Sequence, residues 1–359
     1  MPLLKIESIS KRYGDFWALR DVSLEVEAGE FFGLLGTTGA GKSAILRMIA
    51  GFEMPNTGKI TINDEDVTKQ APEKRSVGCV FQGDALIPHL TVAENVAVNL
   101  KTQKLAKDKI KQVVADTLNL VKLSDFETRR ASELSGGQRQ LAALGRAIAA
   151  QPRVLLFDEP FTNLDPALLE EIHAILKETV KKTHSAVVYA TQNQEETFSL
   201  CDRIAVVGKS EVLQIGTPRE IYNQPETVEV AKLVGRNNLI RAARLTSNKT
   251  ALSEFQTIEG SHRLFVDNVE KKRLGAINQI VTLAIRPENL ILTFGAAFPE
   301  DNLLKASITE INYFGATTRI VLDADGLRLE ALLMRLIGLN VGDVCLVGLP
   351  PNRISVLKD

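Results

Sequence analysis

The chain has 359 residues, which suits two or three domains rather than one. Its 45% hydrophobic and 24% charged residues describe a folded, soluble protein, and Lys+Arg 43 against Asp+Glu 44, a formal net charge of -1, excludes a nucleic-acid protein that relies on a global positive field. No apolar stretch approaches the ~20 residues needed to cross a bilayer, Met1 to Glu7 carries charges where a signal peptide needs an apolar run, and Cys79, Cys201 and Cys345 are too scattered for a disulfide framework or a zinc site.

Each cysteine sits among apolar residues and reads as a reduced, buried thiol. Any link to a membrane is expected to come through another protein.

The first 235 residues read as alternating strands and helices. Leu3 to Ile9 and Ala18 to Val26 alternate apolar and polar residues, the mark of half-buried strands. Glu30 to Leu35 is an apolar run that ends in a glycine-rich turn, and a helix is expected over Ser43 to Ala50. Thr91 to Ala150 is mainly helical in pattern, rich in Ala, Leu and Lys. Val154 to Phe157 is wholly apolar, as a strand buried on both faces would be. A helix is predicted over Ala167 to Lys182, with Asp165 as N-cap and Pro166 at its first position. Ala186 to Ala190 and Arg203 to Val207 are further strand candidates. After about Gly235 short β-type runs take over: Val281 to Arg286, Ala306 to Ile311, Thr317 to Leu322 and Val344 to Leu349. Turn residues separate them, so a small β-barrel or sandwich is expected beyond a boundary near 235 to 240.

Gly36-Thr37-Thr38-Gly39-Ala40-Gly41-Lys42-Ser43 fits GxxxxGK[ST] between an apolar run and a helix. Glycines let the backbone bend so that several N–H groups face one anion, and the helix N-terminus adds roughly half a positive charge. Lys42 is expected to reach the outer phosphates of a nucleotide. Ser43 is expected to hold Mg²⁺, whose remaining ligands are nucleotide oxygens and water. Such a site needs an acid on the metal side. Asp158, at the end of the Val154 run, is positioned to orient a metal-bound water. Glu159 follows it and is the candidate general base.

Leu134-Ser135-Gly136-Gly137-Gln138 forms a second anion-binding turn ahead of a helix expected from Gln138 to Ala150. The string matches the signature sequence of ABC-family ATPases, and the chain resembles that family over nearly its whole length. The resemblance implies an α/β P-loop NTPase core of RecA-like type over 1–235, with an α-helical subdomain at about 86–150. It implies a C-terminal all-β, OB-like TOBE domain over 236–359; Leu283 to Glu288 and Tyr313 to Thr318 carry that part of the likeness. ATP and Mg²⁺ are the implied cofactors, with Ala44 closing the loop's binding set. In the family the signature of one subunit closes on the ATP held by the other, so Ser135, Gly136, Gly137 and Gln138 would serve a second chain. Tyr13 resembles the aromatic that stacks on adenine, with Phe16 and Trp17 as neighbouring alternatives and plain sheet packing as another. Gln82 resembles the Q-loop glutamine, a ligand of Mg²⁺ or water. Asp165 resembles the D-loop acid and is also a helix cap; both roles can hold.

The implied function is an importer ATPase on the cytoplasmic face of the membrane. Its partners would be transmembrane permease subunits, a second ATPase subunit and, indirectly, a substrate-binding protein; nucleic acid is not among them. Leu86, Ile87, Pro88 and Leu90 are the candidate apolar contacts for the permease, or they bury within this chain. One departure stands out. Gln192 occupies the place of the family's switch histidine, and no histidine elsewhere takes it over: His184 lies at the other end of the strand, ~26 Å away at ~3.3 Å per residue. Glutamine donates a hydrogen bond but has no nitrogen that titrates near neutrality. Ala44 and Leu141 stand where relatives carry a second hydroxyl and an arginine. A slow own site, paired with a subunit whose histidine is intact, is one expectation and a working homodimer is the other. A nucleotide-gated subunit that never hydrolyses, and a non-transport ABC ATPase, are the rivals.

Overall fold

The computed structural model describes residues 2–81, 86–101, 105–161, 164–246, 252–267, 269, 274–293, 302–334 and 338–358. Two compact units divide the chain, Met1–Pro218 and Arg219–Asp359.

The first unit opens with a hairpin of β1 (Leu4–Tyr13) and β2 (Phe16–Val26), followed by β3 (Phe31–Leu35) and α1 (Lys42–Ala50). Then come β4 (Thr57–Ile62), β5 (Glu65–Asp66), β6 (Val77–Val80), α2 (Val92–Lys101), α3 (Lys107–Leu120) and α4 (Gly136–Ala149). The unit closes with β7 (Val154–Asp158), α5 (Pro166–Thr183), β8 (Ala186–Thr191), α6 (Gln194–Leu200), β9 (Arg203–Gly208) and β10 (Glu211–Gly216). A four-stranded sheet runs β2-β1-β4-β5, and a six-stranded one runs β10-β9-β3-β8-β7-β6. β3, β7 and β8 are buried along their whole length. That is why these runs lack alternation and why they pair in parallel.

The order of the larger sheet builds the site. β3, β8 and β7 are parallel neighbours. Their carboxyl ends therefore deliver three sequence-distant segments side by side: the glycine loop, Thr191–Gln192 and Asp158–Glu159. The core cluster between the sheets and α1 holds Phe32, Leu46, Ile49, Leu156 and Val188, all fully buried. Each contributes about 1.5–3 kcal/mol by leaving water. Arg75 is buried too, and its guanidinium donates to the carbonyls of Met48 and Ile49, capping the last turn of α1, and to Thr68 and Gln70. α2, α3 and α4 form the helical region. Gly145 lets α4 approach closely, since a Cβ there would already touch Val96 and Thr117 at 3.4 Å.

The second unit begins with the short helices α7 (Pro218–Asn223) and α8 (Val228–Leu233). Its strands are β11 (Asn238–Arg244), β12 (Leu252–Thr257), β13 (Arg263–Asp267), β14 (Ile280–Ile285), β15 (Ile291–Thr293), β16 (Leu303–Tyr313), β17 (Thr318–Ala324), β18 (Leu327–Leu333), β19 (Val344–Gly348) and β20 (Ser355–Leu357). They make two five-stranded antiparallel sheets, β13-β12-β11-β14-β20 and β15-β19-β16-β17-β18, around one shared core. This is the all-β, OB-like architecture expected. Composition changes near residue 235, but packing divides the chain at 218. The intervening residues are helical like the first unit, yet Ala231 of α8 is buried with Ala284 and Leu357 of the β layers. Arg286 holds the same stretch in place. Its buried guanidinium donates to the carbonyls of Tyr222, Val234 and Arg236 and stacks on the Tyr222 ring at 3.9 Å.

Candidate functional site

The glycine loop starts where β3 ends. Gly36 and Gly41 are packed from behind. A Cβ on Gly36 would fall 2.3 Å from the Val207 carbonyl oxygen, and one on Gly41 would fall 2.5 Å from Leu19 and 2.7 Å from the Ala18 carbonyl oxygen. Gly41 also has φ 104° and caps α1 without any side-chain bond. Gly39, at φ +79°, faces open space. The loop is thus pressed onto the sheet on one side and open on the other, as a phosphate cradle must be.

Lys42 is only 6% exposed. Its ammonium donates to the carbonyls of Gly36 (2.6 Å) and Thr37 (3.1 Å) and lies 3.9 Å from the Glu159 carboxylate. Burial lowers its pKa, while Glu159 and Asp158 pull it back up. Ser43 donates to Asp158 at 3.1 Å, so the two candidate metal ligands, 115 positions apart, touch. A hydroxyl beside a carboxylate is the hard-oxygen donor set that Mg²⁺ prefers, and it fits that ion. Both residues line a cleft of about 360 Å³ together with Arg47, Phe52 and Phe81.

Glu159 sits in the left-handed region at φ 45°, and its amide donates to Ala190 at the end of β8 (2.9 Å). This turn aims its side chain away from that of Asp158 and toward Lys42 and Thr191. Gln192 is brought onto the glycine loop: Thr38 donates to its carboxamide oxygen at 3.1 Å. The histidines lie elsewhere. His184 caps the far end of α5, His89 is exposed, His173 is half-buried on α5 with its Nε2 unpartnered, and His262 pairs with Ala324 in the second unit. Ala44 packs against the core and Leu141 is buried on α4, so both apolar replacements turn inward.

Tyr13 is 46% exposed at the tip of the β1–β2 hairpin, and its hydroxyl donates to Glu53. Lys11 and Arg47 also converge on Glu53, at 3.6 and 3.5 Å, and the Lys11 ammonium lies 5.3 Å from the Tyr13 ring centre. Trp17 is engaged by Arg12 and Arg20, 5.6 and 5.4 Å from its ring, while Phe16 is 62% exposed. Glu53 carried no signal in the sequence, since no local pattern links it to a residue forty positions earlier.

The signature segment differs from expectation in one respect. Gly136 and Gly137 do not precede the helix but form its first turn, with Ser135 as N-cap. The Ser135 amide donates to the Gln138 side chain (2.9 Å), and the Gln138 amide donates to the Ser135 hydroxyl (3.3 Å). This reciprocal box draws the helix start forward. Asp165 caps α5 by accepting from the Leu168 amide at 3.0 Å, with Pro166 at the first position. Gln82 lies outside the described residues. Of the candidate permease contacts, Pro88 is exposed, whereas Leu86, Ile87 and Leu90 are partly buried. Asn95, fully buried, braces this loop by accepting from the Ile87 amide and donating to the carbonyls of Ile87, Leu90 and Thr91.

Comparison with known proteins identifies the family and the fold. Residues 19–162 match the family described as ABC transporter, and residues 283–357 match the TOBE domain. The spermidine/putrescine import ATP-binding protein PotA of Nitrosomonas eutropha is 38% identical over 100% of this chain and 99% of its own length. The sulfate/thiosulfate import ATP-binding protein CysA of Thermosynechococcus vestitus is 43% identical over 67% of this chain and 71% of its own. Among solved structures, the ATP-binding cassette MJ0796, in a dimeric post-hydrolysis state bound to ADP and Pi, superposes with a TM-score of 0.55. It is 28% identical and covers 60% of this chain and 99% of that one.

Proposed function

Since this chain belongs to the ABC transporter family, as an import ATP-binding subunit with a TOBE domain, we propose that it binds Mg-ATP in its glycine loop and shares that nucleotide with a second ATPase subunit. Lys42 neutralises the outer phosphates. Ser43 and Asp158 hold Mg²⁺, and Glu159 polarises the attacking water. Tyr13 stacks on the adenine. The observation that carries the reading is the meeting, at three adjacent strand ends, of Lys42, the Ser43–Asp158 pair, Glu159 and Gln192.

Ser135, Gly136 and Gly137 address the nucleotide of the other subunit. Gly137 is explained by packing within the chain, because a Cβ there would meet Leu168 at 2.8 Å. Gly136 is not: its nearest neighbour would be an Arg139 nitrogen at 3.9 Å, and its φ is not positive. A glycine unclaimed by its own fold suits the close approach of an outside ligand. Asp165 adds a contact across the same seam. The loop at Leu86 to Leu90 receives the permease, which places the chain at the cytoplasmic face of the membrane. Among the described residues no helix is long and apolar enough to cross it. Relatives named for spermidine/putrescine and for sulfate/thiosulfate import both resemble this chain. The cargo itself is expected to touch the permease and a binding protein rather than this subunit.

The chain's own site is competent but slow. Gln192 accepts from Thr38 through its oxygen, and its NH₂ is a neutral donor. Losing a charged or polarisable contact to the developing phosphate charge costs ~2.7–4 kcal/mol, or about 10²–10³ in rate. Gln192→His is expected to raise the turnover of the purified protein at least about tenfold. A histidine variant no faster than the parent rejects the slow site.

A further inference from the structure

Gln192 rides on a segment whose two flanking residues both contact one carboxylate. Glu196, in the first turn of α6, is only partly exposed. Its Oε2 accepts from the Tyr189 hydroxyl at 2.9 Å and from the Thr191 hydroxyl at 3.5 Å, and its Oε1 accepts from the Asn193 carboxamide at 3.0 Å. Asn193 returns the contact: its oxygen accepts from the amides of Glu195 and Glu196 (2.9 and 3.3 Å), capping α6. The residue before Gln192 and the residue after it are thus both tied to Glu196.

Thr191 also reaches the candidate base. Its hydroxyl lies 3.4 Å from Glu159 Oε2, and its oxygen accepts from the Asn193 amide at 3.0 Å. A hydroxyl has a single proton to give. Two carboxylates therefore compete for the Thr191 proton. Glu196 is already served by Tyr189 and Asn193 and depends on it less. Burial raises the Glu196 pKa, and the donated bonds from Tyr189, Asn193 and Thr191 oppose that shift. The neighbouring Glu159 carboxylate adds to the upward shift, and Tyr189, Thr191 and Asn193 hold the group in place.

We infer that Glu196 is a positioning residue for ATP hydrolysis: it fixes the strand end that carries Gln192 and, by drawing on Tyr189 and Asn193, leaves the Thr191 hydroxyl for Glu159. It touches no reacting atom and acts through Thr191. The assignment rests on the proposed Mg-ATP site and adds to it the part that holds the base and the switch residue in register.

The experiment measures Mg-ATP hydrolysis and Mg-ATP binding by the purified full-length chain for Glu196→Gln, Thr191→Val and the double variant. Thermal unfolding of each is followed alongside. Both single variants are expected to lose about tenfold in kcat, with KM within about twofold of the parent, as sub-ångström misplacement of a base does. The double variant is expected to fall no further than the worse single, because Glu196 is inferred to act through the Thr191 hydroxyl that Thr191→Val already removes. Should Glu196→Gln unfold early, Thr191→Val decides alone, since it keeps the shape of a buried residue. Parent-level kcat in either folded variant, losses that multiply in the double, or a rise in KM without a fall in kcat would overturn the inference. A parent protein that fails to bind Mg-ATP would defeat the underlying function instead, which the binding arm detects independently.

Discussion

Two helices in the first unit begin at loops rich in glycine, and they begin differently. α1 starts at Gly41, in the left-handed region and with no side-chain cap. α4 starts at Ser135, with a full capping box. Both have the N-terminal dipole that favours an anion. The first end is shaped by the sheet behind it, where Val207, Ala18 and Leu19 leave no room for a Cβ. The second is finished by its own side chains. The difference separates a cradle shaped by the sheet from a helix end whose Ser135 and Gln138 are already engaged with each other. Under the two-chain proposal, binding of a nucleotide at α4 would give up part of the box, which suits one already held by another subunit.

That contrast can be broken at either end. Lys42→Ala removes the cation of the built cradle and leaves Glu159 without its partner at 3.9 Å. Hydrolysis should fall by at least about 10²-fold, and Mg-ATP binding measured by titration should weaken with it. An unchanged rate would mean that the nucleotide sits somewhere else. Ser135→Ala tests the shared end and should act more mildly. Losing the cap costs ~1 kcal/mol of stability, visible as a lower unfolding midpoint. Losing a hydrogen bond to a charged ligand costs ~1.5 kcal/mol, about tenfold in turnover. Binding of Mg-ATP to the isolated chain should stay at the parent level. If that binding weakens as much as in Lys42→Ala, Ser135 serves the chain's own nucleotide and the two-chain reading falls.

The glycine loop, the Val154–Asp158 strand and the capped helix after Asp165 were legible in the sequence because each is a local pattern: a spacing, an apolar run, a cap followed by proline. The helix starts at Gly136 rather than at Gln138, because the box between Ser135 and Gln138 draws both glycines into its first turn. The contacts that assemble the site were not legible. Ser43 with Asp158, Thr38 with Gln192 and Lys42 with Glu159 join positions more than a hundred residues apart. Only the order of strands in the sheet brings them together. The roles of the buried arginines are not legible for the same reason. Arg75 and Arg286 each cap backbone carbonyls of a distant segment. The one available hint was a charge lodged beside apolar strand residues, as in Ala284-Ile285-Arg286-Pro287.

The smallest expected effect concerns Tyr13, the residue proposed to stack on the adenine. A ring that stacks on adenine contributes ~1–3 kcal/mol, but only if it is held ready. Here the hydroxyl donates to Glu53, which Lys11 and Arg47 hold in turn. Burial and then the Glu53 bond push the Tyr13 pKa up to about 12, so it remains a donor throughout the neutral range. Tyr13→Phe keeps the stacking face and removes the tether. The ring must then be ordered on binding, at ~0.5–1.5 kcal/mol, which raises the KM for ATP between about twofold and tenfold with kcat unchanged. Glu53→Gln retains an acceptor for the hydroxyl but loses the charge that gathers Lys11 and Arg47, and it should fall between the parent and Tyr13→Phe. If the phenylalanine variant binds ATP as the parent does, the ring needs no tether. If Glu53→Gln is the worse of the two, Glu53 acts through Arg47 on α1 rather than through Tyr13.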